Sequence, residues 1–396
     1  MNRHPWALIL MHYVAGVFAA AQLGKVAALA PLIAADLGFG LVTISLATSL
    51  IEIGGATLGI VAGGLAGRLG LRSTLLGALV CLTLGSAGAG TAQGAASLIA
   101  WRVLEAAGYL GVIVSAPVLI VQAAGPARQG TALALWSSFV PVGLALGAWA
   151  HAAVAALASW RVAMFASAAV GCVVLIALSV LMPPALRAAT PAAGARHGLG
   201  APRAAWCLAA SFGLYALFQV GVLALLPSLY TRSGMSVSAA ATWTGFAALA
   251  TLIGSVTAAW LLRRGSGLQW PASVALIVPA LMSFAVFTSG GLSPAAPVIA
   301  IVLNIVSGVF ASLAFALVPR AAGGLARMPQ ANGLLAQFGA SGSLLGPPLL
   351  AAAAEHGGWG AAAVCGLVVS VLAVPVALMA IAGAHTETVV RSPAQG

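Results

Sequence analysis

Long apolar runs of about twenty residues alternate along the chain with short breaks that hold charged and turn-forming residues. A helix needs about 20 apolar residues to cross the hydrocarbon of a bilayer. A strand of a membrane barrel instead alternates apolar and polar positions over about ten residues. The continuous runs therefore predict an all-α membrane protein with twelve transmembrane helices, at 6–29, 42–66, 73–92, 97–121, 131–154, 161–183, 205–228, 239–262, 271–290, 296–319, 332–354 and 360–383.

The composition indicates that lipid, and not water, surrounds most of this surface. Of the 396 residues, 62% are hydrophobic and 5% are charged, whereas about a quarter of the residues of a soluble domain are charged. The formal charge of +11 comes from basic residues scattered singly or in pairs. A nucleic-acid interface would need a basic stripe, so we expect a lipid bilayer and no nucleic acid as partner.

The placement of the arginines predicts the orientation. With the N-terminus in the cytoplasm, two arginines, Arg161 and Arg232, fall on the outer side and twelve fall on the inner side. Cytoplasmic loops are enriched in Lys and Arg, so we expect a multi-pass protein of the bacterial inner membrane with both termini cytoplasmic. The twelve are Arg3, Arg68, Arg72, Arg128, Arg187, Arg196, Arg203, Arg263, Arg264, Arg320, Arg327 and Arg391.

A polar stretch rich in Pro and Gly divides the chain near its middle. It predicts an N-terminal six-helix bundle at 1–183, a flexible cytoplasmic linker at 184–204 and a C-terminal six-helix bundle at 205–396 with a short cytoplasmic tail. Two constant spacings relate the halves, 196 positions for Pro31 and Pro227 and for Arg68 and Arg264, and 203 positions for Gly130 and Gly333 and for Gly143 and Gly346. Parallel repeats of this kind are typical of transporters whose solute site lies between the halves.

Three local motifs carry a resemblance to a known family. The loop between spans two and three reads Gly63-Gly64-Leu65-Ala66-Gly67-Arg68-Leu69-Gly70-Leu71-Arg72. It resembles the signature loop of the major facilitator superfamily, Gly-x-Leu-Ala-Asp-Arg-x-Gly-Arg-Arg. Arg102, Glu105 and Gly108 in span four resemble the second motif of that superfamily. Trp160-Arg161 with Phe165 resembles the usual start of its helix six.

The resemblance implies the major facilitator fold, two pseudo-symmetric six-helix bundles that carry a small solute by alternating access. It implies a conformational role for Gly63, Arg68, Gly70 and Arg72, while Gly67 replaces the usual aspartate and puts the cytoplasmic latch of the family in doubt. A finer similarity, to a bacterial branch grouped with cyanate and nitroimidazole permeases, rests on three features and transfers no substrate. They are Gly24-Lys25 ahead of Pro31, the stretch from Arg102 to Pro117, and Trp136 followed by Pro141.

Four charged residues fall inside predicted spans, namely Lys25, Glu52, Arg102 and Glu105. A charge at bilayer depth costs at least a few kcal/mol, so each needs a partner, a wet cavity or a role. Lys25 and Glu52 lie at similar depth on antiparallel helices, and Arg102 and Glu105 share a helical face. Each pair is interpreted either as a proton-coupling charge switch or as a fixed structural ion pair.

Uncharged polar residues on the spans are candidates for contact with the solute. The substrate-binding candidates, which include Lys25, are Gln22, Tyr215, Gln219, Asn304 and Gln337. The resemblance implies that spans one, four, seven and ten line the central cavity. The alternative for each residue is a hydrogen bond between helices.

The sequence offers no pattern for enzyme chemistry. It has no Gly-Lys-Ser/Thr phosphate loop, and its four cysteines, Cys81, Cys172, Cys207 and Cys365, are far apart and lack metal-ligand spacing. We expect these cysteines to be small buried apolar residues. The chain is therefore predicted not to be an enzyme, to need neither a metal nor another cofactor, and to work as a monomer.

The predicted function is proton-coupled secondary transport of a small solute, with export of a small organic compound as the first hypothesis. Glu52 or Glu105 would then exchange protons. In the alternative, uptake of a small anion such as a cyanate-like substrate, Lys25 and Arg102 would bind the anion. A third hypothesis, from another class, is a membrane sensor or structural subunit that transports nothing.

Overall fold

The computed structural model describes residues 5–59, 69–124, 132, 135–136, 138–182, 201–264, 267–289, 295–323 and 328–390, and the regular structure in these residues is helical. The helices are α1 (Pro5–Leu37), α2 (Leu41–Ser49), α3 (Leu71–Gly90), α4 (Ala95–Ala124), α5 (Phe139–Leu157), α6 (Trp160–Leu181), α7 (Arg203–Arg232), α8 (Val237–Arg263), α9 (Gln269–Thr288), α10 (Ala296–Ala321) and α11 (Met328–Val390). A 3-10 turn, Leu50–Glu52, follows α2, and residues 53–59 are helical again.

The described part of the chain contains eleven helical stretches that are long and apolar enough to cross a membrane. The all-α prediction is confirmed, whereas the predicted number of twelve is not reached. The last two predicted spans form one stretch, Gly333–Gly383, of 51 residues. Within it, Gly358 has φ 75° and ψ 177°, which is not a helical conformation. A side chain would be strained at this φ, so glycine allows the break.

Proline ends neither α1 nor α7, although it terminates or kinks many helices. Pro31 lies inside α1, which continues to Leu37 beyond the predicted end at residue 29, and Pro227 lies inside α7. A proline removes one backbone hydrogen bond from a helix, and neighbouring helices in a membrane protein tolerate this loss. The first predicted span is therefore too short.

The chain divides into two compact units. Unit 1 comprises residues 1–54, 61–193 and 234–248, and unit 2 comprises residues 55–60, 194–233 and 249–396. In unit 1, α1 packs against α5 and α4, and α3 packs against α4 and α6. In unit 2, α7 packs along α11, and α9 packs against α10 and α11. Most of the predicted linker lies outside the described residues, because 183–200 are not among them.

One close contact between two helices of unit 1 has a counterpart in unit 2, and the residues of the two contacts are related by the two constant sequence spacings. A Cβ added to Gly143 of α5 would lie 3.0 Å from the backbone nitrogen of Ala21 in α1. A Cβ added to Gly346 of α11 would lie 3.0 Å from the Cα of Leu217 in α7. The glycines are 203 positions apart and their partners are 196 apart. The repeat seen in the sequence is therefore also a repeat of packing, in which glycine lets two backbones approach closely.

A polar clip joins three helix ends of unit 1. Asp36, near the end of α1, accepts hydrogen bonds from Arg161 Nη2 (3.0 Å) and Trp160 Nε1 (3.1 Å) at the start of α6. Arg161 Nη1 also donates to the carbonyls of Gly90 (3.2 Å) and Ala92 (2.6 Å) at the end of α3. These contacts fix the ends of α1, α3 and α6 together.

A tryptophan holds the first half of α8 against α5 within unit 1. Trp149 Nε1 donates to the carbonyl of Thr242 at 3.2 Å, and its ring packs edge-on against Phe246 at 5.3 Å. Gly245 lies directly beneath the indole, where a side chain would collide with the ring. Ala241, Ala28, Ala148 and Ala152 form a small apolar cluster in the same unit.

The cysteines differ from the prediction. All four are free, Cys172 is exposed, and Cys81, Cys207 and Cys365 are half-buried. The expectation that they are buried is wrong for Cys172. In a membrane span the outward face is apolar too, so an apolar side chain can occupy it without an energetic cost.

Candidate functional site

Unit 1 contains a cluster of three charged side chains with no exposed surface. Lys25 Nζ lies 2.6 Å from Glu105 Oε1, and Arg102 Nη1 donates to the other carboxylate oxygen, Oε2. One carboxylate on α4 is thus shared by a cation on α1 and a cation one turn before it on α4. All three side chains are fully buried. We call Lys25, Arg102 and Glu105 the ionic cluster, and its formal charge is +1.

Of the two pairings that the sequence allows, Arg102 with Glu105 is present in the structure and Lys25 with Glu52 is not. Lys25 contacts Glu105 on α4, while Glu52 lies near the hydroxyl of Tyr109. Spacing from the intervening turn gives the depth of a residue in the membrane. It does not give the rotation of the helix, and the rotation of α1 decides that Lys25 meets α4.

Neutral polar side chains complete the surroundings of the ionic cluster. Lys25 Nζ also donates to Ser86 Oγ at 2.7 Å. The Ser86 hydroxyl lies 2.9 Å from Glu105 Oε1 and 3.0 Å from Gln22 Oε1, so its single proton has two acceptors. Gln22 Oε1 also accepts from Ser167 Oγ at 3.3 Å, and Gln22 Nε2 donates to the Phe18 carbonyl. The side chain of Gln22 therefore makes these hydrogen bonds to residues of unit 1.

Arg102 connects the ionic cluster to the backbone of the second span. Its Nε donates to the carbonyl of Ala47 at 2.8 Å, and its Nη2 donates to the carbonyl of Thr48 at 2.9 Å. Nη1 donates to the carbonyl of Gln22 at 3.1 Å as well as to Glu105. A guanidinium has five donors in a fixed planar arrangement, and this one uses donors on all three nitrogens.

Two buried histidines lie in unit 1. His151 of α5 donates a hydrogen bond from Nδ1 to the Gly147 carbonyl at 2.6 Å, and it lies close enough to Lys25 and Glu105 to interact electrostatically with both. His12 contacts the Leu8 carbonyl through Nδ1 at 2.6 Å, while its buried Nε2 has no hydrogen-bond partner among the described residues. Of the two, His151 belongs to the neighbourhood of the ionic cluster.

In unit 2, three predicted residues meet in an uncharged network. Gln219 Nε2 of α7 donates to Asn304 Oδ1 of α10, and Ser307 Oγ donates to Gln219 Oε1. Asn304 Nδ2 donates to the Ala300 carbonyl at 2.8 Å, and the hydroxyl of Tyr215 lies near Ser307. We call Tyr215, Gln219, Asn304 and Ser307 the amide network. The buried polar side chains in the described residues of unit 2 are all uncharged.

Aromatic rings flank the amide network. The ring of Tyr215 stacks on Phe212 with a centroid distance of 5.7 Å and lies 5.3 Å from Phe310. Gln337 of α11 is not bonded to this network in the described structure. It is half-buried, and a Cβ added to Gly59 would lie 3.7 Å from its own Cβ.

Only part of the predicted conformational motif can be placed. Gly63 and Arg68 lie outside the described residues. Gly70 has φ 85° immediately before α3, a conformation that favours glycine. Arg72 Nη2 donates to the carbonyl of Ser179 at 3.0 Å and so joins the start of α3 to the end of α6.

Several side chains of these surroundings have no distinctive pattern in the sequence. Ser86, Ser167 and Ser307 are isolated hydroxyl residues within apolar stretches, and Tyr109 is one helical turn beyond Glu105. A search for polar residues facing the charged ones would find Tyr109 at i+4, but the serines come from other helices. Among the described residues, no group of three His, Cys, Asp or Glu side chains could hold a metal ion.

Comparison with known proteins identifies the family to which this chain belongs. Residues 13–328 match the sequence profile of the Major Facilitator Superfamily. The chain belongs to this superfamily. Members of this superfamily are transporters and not enzymes, and the eleven apolar helical stretches in the described residues are those of a multi-pass membrane protein.

A curated relative agrees over a shorter stretch. An uncharacterised MFS-type transporter of Mycobacterium tuberculosis is 32% identical over 183 residues, which are 46% of this chain. The chain covers 31% of that relative's length. The likeness supports membership of the superfamily.

Solved structures show the same fold at low sequence identity. A bacterial homologue of the human lysosomal transporter Spinster, inward-facing and occupied, has a TM-score of 0.78 and 17% identity, covering 98% of this chain and 97% of that chain. The nucleoside transporter NupG has a TM-score of 0.73 and 16% identity, with 97% and 99% covered. A D-xylose–proton symporter has a TM-score of 0.71 and 15% identity, with 93% and 97% covered.

Proposed function

We propose that the protein is a proton-coupled secondary transporter that exports a small organic compound by alternating access. The observation that supports this proposal is the ionic cluster of Lys25, Arg102 and Glu105, which is fully buried within membrane-crossing helices. Ionisable groups at bilayer depth are costly and mark proton or substrate pathways in transporters. A solved structure of the same fold is that of a proton symporter.

Glu52 is the proposed proton carrier. In the described part of the chain, no Lys or Arg nitrogen lies within 4.0 Å of its carboxyl group, and the neighbouring polar group is the hydroxyl of Tyr109. Glu105, in contrast, is held by two cations and the Ser86 hydroxyl. A carboxyl group without a contacting cation can gain or lose a proton without breaking an ion pair, so Glu52 is better suited to the exchange.

The amide network is the proposed recognition element for the solute. Gln219 and Asn304 each carry donors and an acceptor on one amide group, and Tyr215 adds an aromatic face. These groups suit a solute with hydrogen-bonding groups and an apolar surface. In this proposal the solute replaces some of the bonds that the network makes to itself, and Gln337 contributes from α11.

The proposed topology has twelve crossings in two six-helix bundles, with both termini in the cytoplasm of a bacterium and a functional monomer. At 1.5 Å per residue, the 51-residue stretch Gly333–Gly383 is about 77 Å long, more than twice the roughly 30 Å hydrocarbon core. The break at Gly358 divides it into two parts that are each long enough to cross. The arginine bias supports the cytoplasmic placement of the termini.

Reconstituted protein tests the proposal directly. Proteoliposomes with a trapped pH-sensitive dye are given an imposed pH gradient and exposed to a cationic fluorescent drug and, separately, to cyanate. We expect the drug to move protons in the wild-type protein, and we expect Glu52→Gln and Lys25→Ala to abolish this movement while membrane insertion is retained. Asp36→Asn, at the partly exposed clip, is the matched control and retains transport. Full transport by both Glu52→Gln and Lys25→Ala would reject their assigned roles.

The formal charge of +1 on the ionic cluster favours a second candidate, uptake of a small anion. An anion would neutralise Lys25 and Arg102 in the way that a second carboxylate does. The direction of the proton movement distinguishes the two functions, since solute binding releases protons from an antiporter and takes them up in an anion symporter. A protein that moves neither probe under any gradient would fit the third hypothesis, a membrane sensor or structural subunit.

A further inference from the structure

The second span loses its regular helix at the point where Arg102 touches it. The last α-helical bond of α2 runs from the Leu50 amide to the Leu46 carbonyl, and the next residues form the 3-10 turn Leu50–Glu52. In an unbroken α-helix, the carbonyls of Ala47 and Thr48 would accept from the amides of residues 51 and 52. In a 3-10 turn the amides bond three residues back instead, as the Ile53 amide does to Leu50.

Arg102 bonds to two carbonyls near the end of α2, immediately before this turn. Its Nε and Nη2 donate to Ala47 and Thr48 at 2.8 and 2.9 Å. A buried carbonyl without a partner costs about 1–3 kcal/mol, so the guanidinium stabilises the interrupted form of the span. A lysine at this position would lack the rigid fork needed to reach both carbonyls.

Of the four acceptors of Arg102, three are backbone carbonyls and the fourth is the Glu105 carboxylate. Only the carboxylate can change its charge. It also sets the direction of the guanidinium, because Nη1 points at Glu105 while Nε and Nη2 point at the second span. A change of charge at Glu105 therefore alters the hydrogen bonds of Arg102 to the carbonyls just before the 3-10 turn. The last residue of that turn is Glu52.

We propose that Arg102 is a positioning residue that links the charge state of Glu105 to the 3-10 interruption of the second span. A 3-10 segment within a helix often marks a hinge. When Glu105 is neutralised, by a proton or by a cationic solute, Arg102 releases the carbonyls of Ala47 and Thr48 and the 3-10 turn loosens. The movement carries Glu52 with it. The inference deepens the proposed function and rests on it for its role in transport, but the structural link is measurable without any transport.

Hydrogen exchange of the protein in lipid nanodiscs, followed by mass spectrometry over residues 41–53, tests this link. Glu105→Gln keeps the size of the side chain and removes its charge, and Arg102→Lys keeps the charge and removes the fork. We expect each variant to speed exchange of the amides of residues 50–53 by about tenfold, as for the loss of one charge-assisted hydrogen bond. Both single variants weaken the same contact between Arg102 and Glu105. We therefore expect these amides to exchange no faster in the double variant than in Arg102→Lys alone.

Two controls separate the link from a general loosening. Lys25→Met removes the other cation from Glu105 but leaves Arg102 paired, and Arg161→Lys changes the arginine of the clip. Neither should change exchange over residues 50–53 by more than about twofold. The proposal is overturned if Glu105→Gln exchanges at the wild-type rate, if either control matches Glu105→Gln, or if the double variant shows the product of the two single effects. If Arg102→Lys does not fold, the contrast between Glu105→Gln and Lys25→Met decides the question alone.

Discussion

Replacement of Glu105 by Gln removes the carboxylate that both Lys25 and Arg102 contact and leaves two buried cations side by side. At 2.6 Å, the attraction between Lys25 and Glu105 is about 6 kcal/mol for an effective dielectric constant of 20. The two cations bind opposite oxygens of one carboxylate, roughly 5 Å apart, where their repulsion is about 3 kcal/mol on the same scale. Burial of the charges offsets much of the attraction, and removal of one partner from such a cluster costs about 3–5 kcal/mol. We expect that loss for Glu105→Gln.

Lys25→Met gives a different result although it breaks the same 2.6 Å contact. It removes the attraction to Glu105, but it also removes the repulsion from Arg102 and the desolvation of an ammonium group. The remaining pair of Arg102 and Glu105 is neutral, so we expect a loss of less than about 1.5 kcal/mol.

The double variant, Lys25→Met with Glu105→Gln, should recover about 2 kcal/mol relative to Glu105→Gln alone, because a single cation remains and keeps its backbone acceptors. Unfolding by SDS in mixed micelles measures all three free energies. The reasoning fails if Lys25→Met costs as much as Glu105→Gln, or if the double variant recovers nothing.

Three further predictions concern packing and the helix ends. Gly346→Val should lower the free energy of unfolding by about 2–3 kcal/mol, since its Cβ would meet the backbone of α7 at 3.0 Å; Gly77→Ala, with no atom within 4 Å, should be neutral in the same SDS assay. Asp36→Asn breaks a partly exposed ion pair to Arg161 and should cost under about 1 kcal/mol, and a larger loss would contradict the description of the clip. Trp149→Phe loses the indole hydrogen bond to α8, so exchange of the amides at 240–246 should rise by about fivefold; an unchanged rate would show that the bond does not hold α8.

The sequence predicted the helical class, and it placed on one helix face the two residues of an ion pair. Arg102 and Glu105 are three residues apart, so their helix alone brings them together. The apolar runs located the spans for the same reason, because the length of a run and the thickness of the bilayer are local quantities.

Contacts between helices could not be predicted from single runs. Lys25 was paired with Glu52 from equal depth, but the rotation of α1, set by its packing with α5 and α4, turns Lys25 towards Glu105. The 3-10 turn at Leu50–Glu52 also has no local cause in the sequence, since no proline or glycine lies within it. The carbonyls of Ala47 and Thr48 just before it accept hydrogen bonds from Arg102 of α4, which is more than fifty positions further along the chain.

The matching contacts of Gly143 with Ala21 and of Gly346 with Leu217 have a consequence for how the chain arose and what its two copies do. A duplicated ancestor explains why backbone closeness is kept at both places, because any added atom there collides. The position of Lys25 corresponds, 196 residues later, to Gly221, and that of Gln22 to Phe218. The close backbone contact is therefore common to both halves, whereas the buried charged side chains of the described residues all lie in the first half.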